Sequence, residues 1–192
     1  MKASSVFFIG APKTPILKGK YKMIPVISFV GKSNAGKTTL IEKLIPIFSM
    51  RGISVGTIKH HMHDFDMDVP GKDSFRHQKA GAVQTVISSP GKIAFVGRSK
   101  YDHKIDELLK FFDAADIIIT DGYKGEEKPK IEVFRPSHYN IPITPENSGL
   151  IAYATDGPEF SFPVKVPVLD LNDPSAIAGF IIEYFDILKK IK

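Results

Sequence analysis

Short apolar runs alternate with amphipathic stretches along most of the chain. The run at residues 26–30 is followed by Gly31 and indicates a buried strand. Residues 37–50 then repeat apolar side chains at helical spacing, which predicts a helix with one buried stripe: Leu40, Ile41, Leu44, Ile47 and Phe48. Pro46 lies inside this stripe, so we expect a kink or an early end of the helix there.

The same patterning predicts the later elements. Strand-like runs occur at residues 53–58, 82–88, 92–96, 117–120, 131–134, 150–154 and 166–169. The Ser-Pro-Gly tripeptide at 89–91 predicts a hairpin, so one edge of the sheet is expected to be antiparallel.

Aspartate marks the start of two predicted helices. Asp73, with Ser74, is expected to cap a short helix that reaches about Lys79. Asp173 is expected to cap the terminal helix, in which Pro174 takes the first position. The buried stripe predicted for that helix is Ile177, Phe180, Ile181, Tyr184, Phe185 and Leu188.

Composition favours one globular domain in a reducing compartment. A chain of 192 residues that is 43% hydrophobic can bury one substantial core, and we expect a single domain over residues 23–192. There is no cysteine, so we expect a cytoplasmic protein. No apolar run approaches membrane-spanning length, and no membrane partner is expected.

The net charge of +5 comes from the N-terminal segment. Residues 1–22 hold five lysines and no acidic residue, whereas residues 23–192 hold 21 basic and 21 acidic residues. No nucleic acid is therefore expected as a partner of the domain. We expect residues 1–22 to form a flexible basic arm without a signal peptide. The alternative is that translation begins at Met23.

Residues 31–38 carry the strongest chemical signal, G-K-S-N-A-G-K-T. This sequence fits the Walker A pattern, and it lies between a predicted strand and a predicted helix, as a phosphate-binding loop (P-loop) requires. Glycines let backbone amides turn toward phosphate oxygens, and the helix presents its positive end to them. Lys37 would reach the β- and γ-phosphates, and the Thr38 hydroxyl would contact Mg²⁺.

Asp121 is the second chemical landmark. It ends the hydrophobic run I-I-I-T at residues 117–120, which is the Walker B arrangement downstream of a P-loop. We expect Asp121 to lie near the cation held by Thr38. An Asp-Gly turn with no ligand is the competing interpretation.

The densest polar segment follows the second predicted strand. His60, His61 and His63 lie close to Asp64, Asp66 and Asp68. The spacing matches no standard zinc signature. We therefore keep three interpretations open: a metal site, carboxylates that hold Mg²⁺ through water, and a solvated loop.

Asp156 lies after the predicted strand at residues 150–154. An aspartate there could accept hydrogen bonds from guanine, but an Asp-Gly turn explains it equally well. The chain has no N-K-x-D signature, so no motif establishes guanine specificity.

The chain resembles the family of molybdopterin-guanine dinucleotide biosynthesis protein B (MobB), small P-loop GTP-binding proteins. Besides residues 31–39, the resemblance is carried by I-K-H at 58–60, P-G-K-D-S at 70–74, K-A-G-A at 79–82, D-G-Y-K at 121–124, K-I-E-V-F-R at 130–135 and A-T-D-G-P at 154–158. The family usually has glutamate where this chain has Asp121. The shorter side chain could change direct Mg²⁺ contact into contact through water.

The resemblance implies a doubly wound, mostly parallel α/β sheet with P-loop NTPase architecture, in a homodimer. It implies GTP and Mg²⁺ as cofactors, weak GTPase activity, and assistance to a partner guanylyltransferase that attaches GMP to molybdopterin. Nucleotide binding is carried onto Gly31, Ser33, Asn34, Ala35, Gly36, Lys37, Thr38, Thr39 and Asp156. Lys37, Thr38 and Asp121 are the expected catalytic residues; Thr38 and Asp121 are expected to contact magnesium, with Asp66 and Asp68 as outer partners. The segment 60–68 and Arg76 are the expected nucleotide-sensing or partner surface.

Slow turnover is expected, because the sequence shows no obvious glutamine for positioning water and no arginine finger. Two other functions remain open at this point. A small-molecule or nucleoside kinase would use the same P-loop. Such a kinase usually has an arginine-rich lid, whereas the four arginines of this chain do not cluster. A metallochaperone GTPase would draw on the histidines at 60–63.

Overall fold

The computed structural model of the chain describes residues 4–8, 24–61, 63, 65, 68–145, 148–157 and 159–190. In chain order the elements are β1 (Ser4–Phe8), β2 (Val26–Val30), α1 (Lys37–Met50), β3 (Val55–Lys59), α2 (Asp73–Lys79), β4 (Gln84–Ser89), β5 (Lys92–Ser99), α3 (Ile105–Leu108), a 3-10 helix (Leu109–Phe111), β6 (Ile117–Asp121), β7 (Lys130–Phe134), β8 (Leu150–Thr155), β9 (Val168–Asp170), α4 (Pro174–Phe185) and α5 (Ile187–Lys190).

The chain falls into two compact units. The parallel-sheet unit comprises residues 22–60 and 114–192, and the antiparallel-sheet unit comprises residues 1–21 and 61–113. The single domain expected over residues 23–192 stays a prediction.

The parallel-sheet unit has six strands in the order β3-β6-β2-β7-β8-β9, and all neighbours are parallel. From β2 the chain passes to β3 and β6 on one side and later to β7, β8 and β9 on the other. The strand order therefore reverses beside β2, and ligands of open α/β sheets bind at the carboxyl ends of the strands near such a reversal. The doubly wound, mostly parallel fold is confirmed.

The core explains why the inner strands are continuously apolar. Every residue of β2, β6 and β7 is buried, as expected for strands with neighbours on both sides and covered faces. Leu44 and Phe48 of α1 and Ile181 of α4 join Ile27 and Ile119 of the sheet in one hydrophobic cluster.

Helix α1 has the predicted bounds and continues past Pro46 to Met50. Of the kink or early end predicted at Pro46, the early end does not occur. Leu44 and Phe48, on either side of the proline, are fully buried. Their packing offsets the backbone hydrogen bond that proline removes.

The cap of α4 is confirmed, because Asp173 accepts a hydrogen bond from the Ala176 amide at 2.9 Å. The predicted buried stripe is wrong at Tyr184 and Leu188, which are about half exposed, at 49% and 50%. Asp186 takes a left-handed conformation that ends α4, so Leu188 belongs to the next helix and leaves the stripe.

The antiparallel-sheet unit contains the predicted hairpin, in which β4 and β5 pair in register. The hairpin forms a separate three-stranded sheet with β1, in the order β1-β5-β4. Strand β1 lies within the segment expected to be a flexible arm, so residues 4–8 of that arm have regular structure.

The capping prediction for α2 is wrong. Asp73 is the first helical residue and the cap position is held by Lys72, whose side chain makes no capping hydrogen bond. Ser74 instead donates its hydroxyl to Asp68 at 3.0 Å. No helix among the described residues is long and apolar enough to cross a membrane.

Candidate functional site

The loop between β2 and α1 has the backbone that a phosphate-binding loop needs. Gly31, Asn34 and Gly36 all have positive φ, at 142°, 63° and 96°. A side chain at position 31 would place its Cβ 2.4 Å from the carbonyl oxygen of Val133, so only glycine fits. Positive-φ residues placed among ordinary ones let the backbone amides of a loop converge on one anion.

Lys37 lies along the inside of this loop. Its ammonium donates to the carbonyl oxygens of Gly31 and Lys32 at 3.0 and 2.8 Å. Burial lowers the pKa of Lys37, the nearby Asp121 carboxylate opposes this change, and Lys59 adds to it. The ammonium is thus held close to the loop by carbonyls that an anionic ligand would compete with.

Asp121, the last residue of β6, brings three elements together. Its Oδ2 accepts the Thr38 hydroxyl at 2.8 Å and pairs with the Lys59 ammonium. Asp121 is 7% exposed, and its Oδ1 is buried without a hydrogen-bond partner among the described residues. Lys59 is adjacent because β3 and β6 pair in parallel with Lys59 opposite Asp121.

A cleft of about 460 Å³ opens over these groups and is lined by Ser33, Asn34, Gly36, Lys37, Thr38, Thr39 and Lys59. Two loop residues predicted to bind nucleotide, Gly31 and Ala35, do not line this cleft. Gly31 contacts β7 behind the loop, and the Ala35 side chain is fully buried.

Arg135, Tyr139 and Asp156 surround the outside of the loop. Arg135 donates from Nε to the Ala35 carbonyl at 3.1 Å and pairs through Nη1 with Asp156. The Tyr139 hydroxyl donates to the Ser33 carbonyl. Neither Tyr139 nor a role for Arg135 at the loop was predicted from the sequence. Arg135 directly follows a predicted strand, so its place at the carboxyl edge of the sheet was the available signal.

The two aspartates predicted as outer magnesium partners, Asp66 and Asp68, have different outcomes. Asp66 lies outside the described residues. Asp68 belongs to the antiparallel-sheet unit, where its carboxylate accepts from the Val69 amide, the Ser74 hydroxyl and Gln78 at 2.8, 3.0 and 3.2 Å. These contacts tie Asp68 to the start of α2, and its role toward magnesium stays a prediction.

The histidines make local contacts. The His60 backbone amide donates to the Asp121 carbonyl at 3.1 Å, and its ring lies 4.4 Å from that of Tyr123. The ring of His61 lies 5.8 Å from that of Phe65. Within the part of the chain that the structure describes, no three His, Asp or Glu residues form a group able to hold a metal ion.

The parallel sheet, the loop before α1 and the meeting of Lys37, Thr38 and Asp121 define a protein of the α/β P-loop class. The family described as "MobB: Molybdopterin guanine dinucleotide synthesis protein B" matches residues 26–156. The chain belongs to the MobB family.

Two relatives and one solved structure show how far the likeness extends. The molybdopterin-guanine dinucleotide biosynthesis adapter protein of Escherichia coli (strain K12) is 39% identical over 167 residues, which cover 84% of this chain and 94% of the relative. The protein of the same description from Haemophilus influenzae is 34% identical, over 82% of this chain and 88% of the relative. The crystal structure of Bacillus subtilis MobB superposes with a TM-score of 0.68 at 27% identity, covering 83% of this chain and 97% of that one.

Proposed function

We propose that this protein is a GTP-binding adapter in molybdopterin-guanine dinucleotide biosynthesis, with slow, magnesium-dependent GTPase activity. The observation that carries the proposal is the P-loop cleft lined by Lys37 and Thr38, with Asp121 hydrogen-bonded to Thr38 and charged beside Lys37. Relatives that match more than four-fifths of the chain are described as adapter proteins of this biosynthesis, which supports the same conclusion.

The loop fits a nucleotide polyphosphate. Its positive-φ residues form a concave backbone, and it leads directly into the 14-residue helix α1, whose amino end favours anions. The Lys37 ammonium lies at the loop, hydrogen-bonded to the carbonyls of Gly31 and Lys32. A bound nucleotide would replace these hydrogen bonds, and the ammonium would then contact the β- and γ-phosphates.

Thr38 and Asp121 fit magnesium. Hydroxyl and carboxylate oxygens are the hard ligands that Mg²⁺ prefers. The buried Oδ1 of Asp121 has no hydrogen-bond partner among the described residues and can accept one. Although aspartate is one methylene shorter than glutamate, its carboxylate reaches the Thr38 hydroxyl at 2.8 Å, so both oxygens could contact the same ion. When bound, the ion supplies positive charge that stabilises the charge developing on the phosphoryl oxygens.

The lining of the cleft supports slow hydrolysis. Hydrolysis adds water across the β–γ phosphate link and yields GDP and inorganic phosphate. None of the described residues that line the cleft is a glutamine or an arginine. Lacking an arginine finger typically costs about 10³- to 10⁵-fold in rate, so we expect turnover below about 1 s⁻¹.

In this proposal the partner is the guanylyltransferase that attaches GMP to molybdopterin, and the adapter acts in the cytoplasm as a homodimer. If GTP acts only by locking a binding conformation, a nonhydrolysable GTP analogue supports partner binding and cofactor synthesis as well as GTP does. If hydrolysis is required, the analogue supports binding and blocks synthesis.

Titration calorimetry with GTP and with ATP, each with Mg²⁺, tests the proposal. We expect at least a tenfold preference for GTP, about 1.4 kcal/mol. Lys37→Met should abolish binding, whereas Lys43→Met, an exposed lysine on the same helix, should leave it unchanged. Equal binding of the two nucleotides, or a preference for ATP, would overturn the assignment and favour a kinase.

A further inference from the structure

The carbonyl oxygens of the P-loop are held by side chains. A loop whose amides turn toward an anion leaves its carbonyls in need of other donors. Lys37 supplies them for Gly31 and Lys32 from within the loop. The carbonyls of Ser33 and Ala35 receive theirs from the segment after β7, through the Tyr139 hydroxyl and Arg135 Nε.

Arg135 is itself held in place. Its guanidinium pairs with Asp156, the residue that follows β8, and a Cβ on Gly36 would lie 3.5 Å from Arg135 Nη2. A planar guanidinium can donate to the Ala35 carbonyl and pair with Asp156 at once because its five N–H donors form a rigid fork. Asp156, Arg135 and Ala35 thus form a chain of contacts from β8 to the P-loop.

This arrangement bears on how Asp156 acts. A carboxylate that reads guanine must accept hydrogen bonds from the base, but the Asp156 carboxylate already pairs with Arg135. Giving up that pair would release the guanidinium from the fixed position in which it supports Ala35.

We propose that Arg135 and Tyr139 form an outer clamp, two positioning residues that hold the P-loop open for the polyphosphate, with Asp156 acting through Arg135. The inference rests on the proposed nucleotide binding and deepens it, because it assigns phosphate affinity, and not base choice, to Asp156. The ligand class is therefore any purine nucleoside triphosphate as far as this clamp is concerned, and guanine preference arises elsewhere.

The test uses three variants, each of which removes one charge or one hydroxyl: Asp156→Asn, Arg135→Gln and Tyr139→Phe. Matched controls are Asp170→Asn at the end of β9, the exposed Arg51→Gln after α1, and Tyr184→Phe, which is half exposed. Calorimetry measures the Kd for GTP and for ATP. Hydrogen–deuterium exchange of a peptide spanning residues 31–39 measures loop order without nucleotide.

Each clamp variant should weaken GTP and ATP binding by the same factor. We expect roughly tenfold for Asp156→Asn and Arg135→Gln, which remove a charged partner, and roughly threefold to tenfold for Tyr139→Phe, which removes a neutral hydrogen bond. Exchange of the 31–39 peptide should become faster in the nucleotide-free protein. Asp156→Asn combined with Arg135→Gln should be no weaker than Arg135→Gln alone, because the two residues act in series. The three controls should resemble the unaltered protein.

Loss of GTP affinity in Asp156→Asn with ATP affinity unchanged would overturn the inference and assign base reading to this residue. Independent, additive losses in the double variant would also overturn it. If the unaltered protein bound neither nucleotide, the proposed function would fail, and the exchange measurement would still decide the clamp. Unchanged exchange in the clamp variants would then refute it.

Discussion

Gly31→Ala tests whether close contact between the P-loop and β7 sets the stability of this fold. Gly31 has φ of 142°, and an added Cβ would lie 2.4 Å from the Val133 carbonyl oxygen. That oxygen belongs to a buried backbone, so it cannot rotate away. Relief requires β7 to move relative to β2, with which it shares a parallel ladder.

The magnitude follows from two costs. A conformation that is essentially restricted to glycine costs about 1–3 kcal/mol for alanine. Overpacking by one carbon against a fixed neighbour adds about 1–3 kcal/mol. The free energy of unfolding should therefore fall by roughly 2–6 kcal/mol, and at about 2–4 °C per kcal/mol the Tm should drop by at least about 4 °C.

The assay is thermal unfolding followed by circular dichroism, with Gly179→Ala as the control. Gly179 lies inside α4, and a Cβ there meets no atom within 4 Å. Removing glycine from a helix interior should raise stability by about 1 kcal/mol. The two substitutions are chemically identical and should shift the Tm in opposite directions.

An unchanged Tm in Gly31→Ala would refute the reasoning, because the loop would then have room for a side chain. A lowered Tm in Gly179→Ala would also contradict it, since that result would require packing at a position where the structure shows open space.

Three further substitutions test separate parts of the structure. Calorimetry of the unaltered protein should show tighter GTP binding in Mg²⁺ than in EDTA. Asp121→Asn should remove most of that difference, because a neutral amide is a poor magnesium ligand. An unchanged difference would exclude Asp121 as a ligand. Glu132→Gln should lower the free energy of unfolding by about 2 kcal/mol, measured by urea denaturation. The buried carboxylate accepts hydrogen bonds from two backbone amides of the segment after β7, at 2.7 and 2.9 Å, whereas the single oxygen of glutamine can accept only one of them. An unaltered urea midpoint would contradict this. Burial, aided by the charge of Glu132, raises the pKa of Tyr153 above its ordinary value of 10.0. The folded state therefore favours the neutral phenol, whose contribution is fully present below pH 10 and is lost as the pH rises through the folded pKa. Tyr153→Phe should make unfolding less sensitive to pH above 10, and equal alkaline sensitivity of the two proteins would refute the assignment.

The local features of the site could be predicted from the sequence. The P-loop, the bounds of α1 and the cap at Asp173 depend on residues a few positions apart, whose conformational preferences act within one turn. The position of Asp121 at the end of its strand was also predicted, because a hydrophobic run followed by Asp-Gly is itself a local pattern.

Local rules failed where packing was decisive. Pro46 predicts a kink or an early helix end, yet the helix does not end there, because buried residues on both sides stabilise it. Leu188 fits the helical stripe in spacing, yet the left-handed Asp186 separates it into another helix.

Only the tertiary structure decided which side chains complete the site. The strand order places Lys59 opposite Asp121, pairs Arg135 with Asp156, and brings Arg135 and Tyr139 to carbonyls that are 100 and 106 positions away along the chain. No periodicity encodes such partners, because they depend on which strands become neighbours once the whole sheet has formed. The sequence by itself determined that a phosphate loop would form and where its lysine and threonine lie, since those are properties of one continuous segment. The polar partners that hold the loop in shape come from distant segments, so they follow from the sheet as a whole.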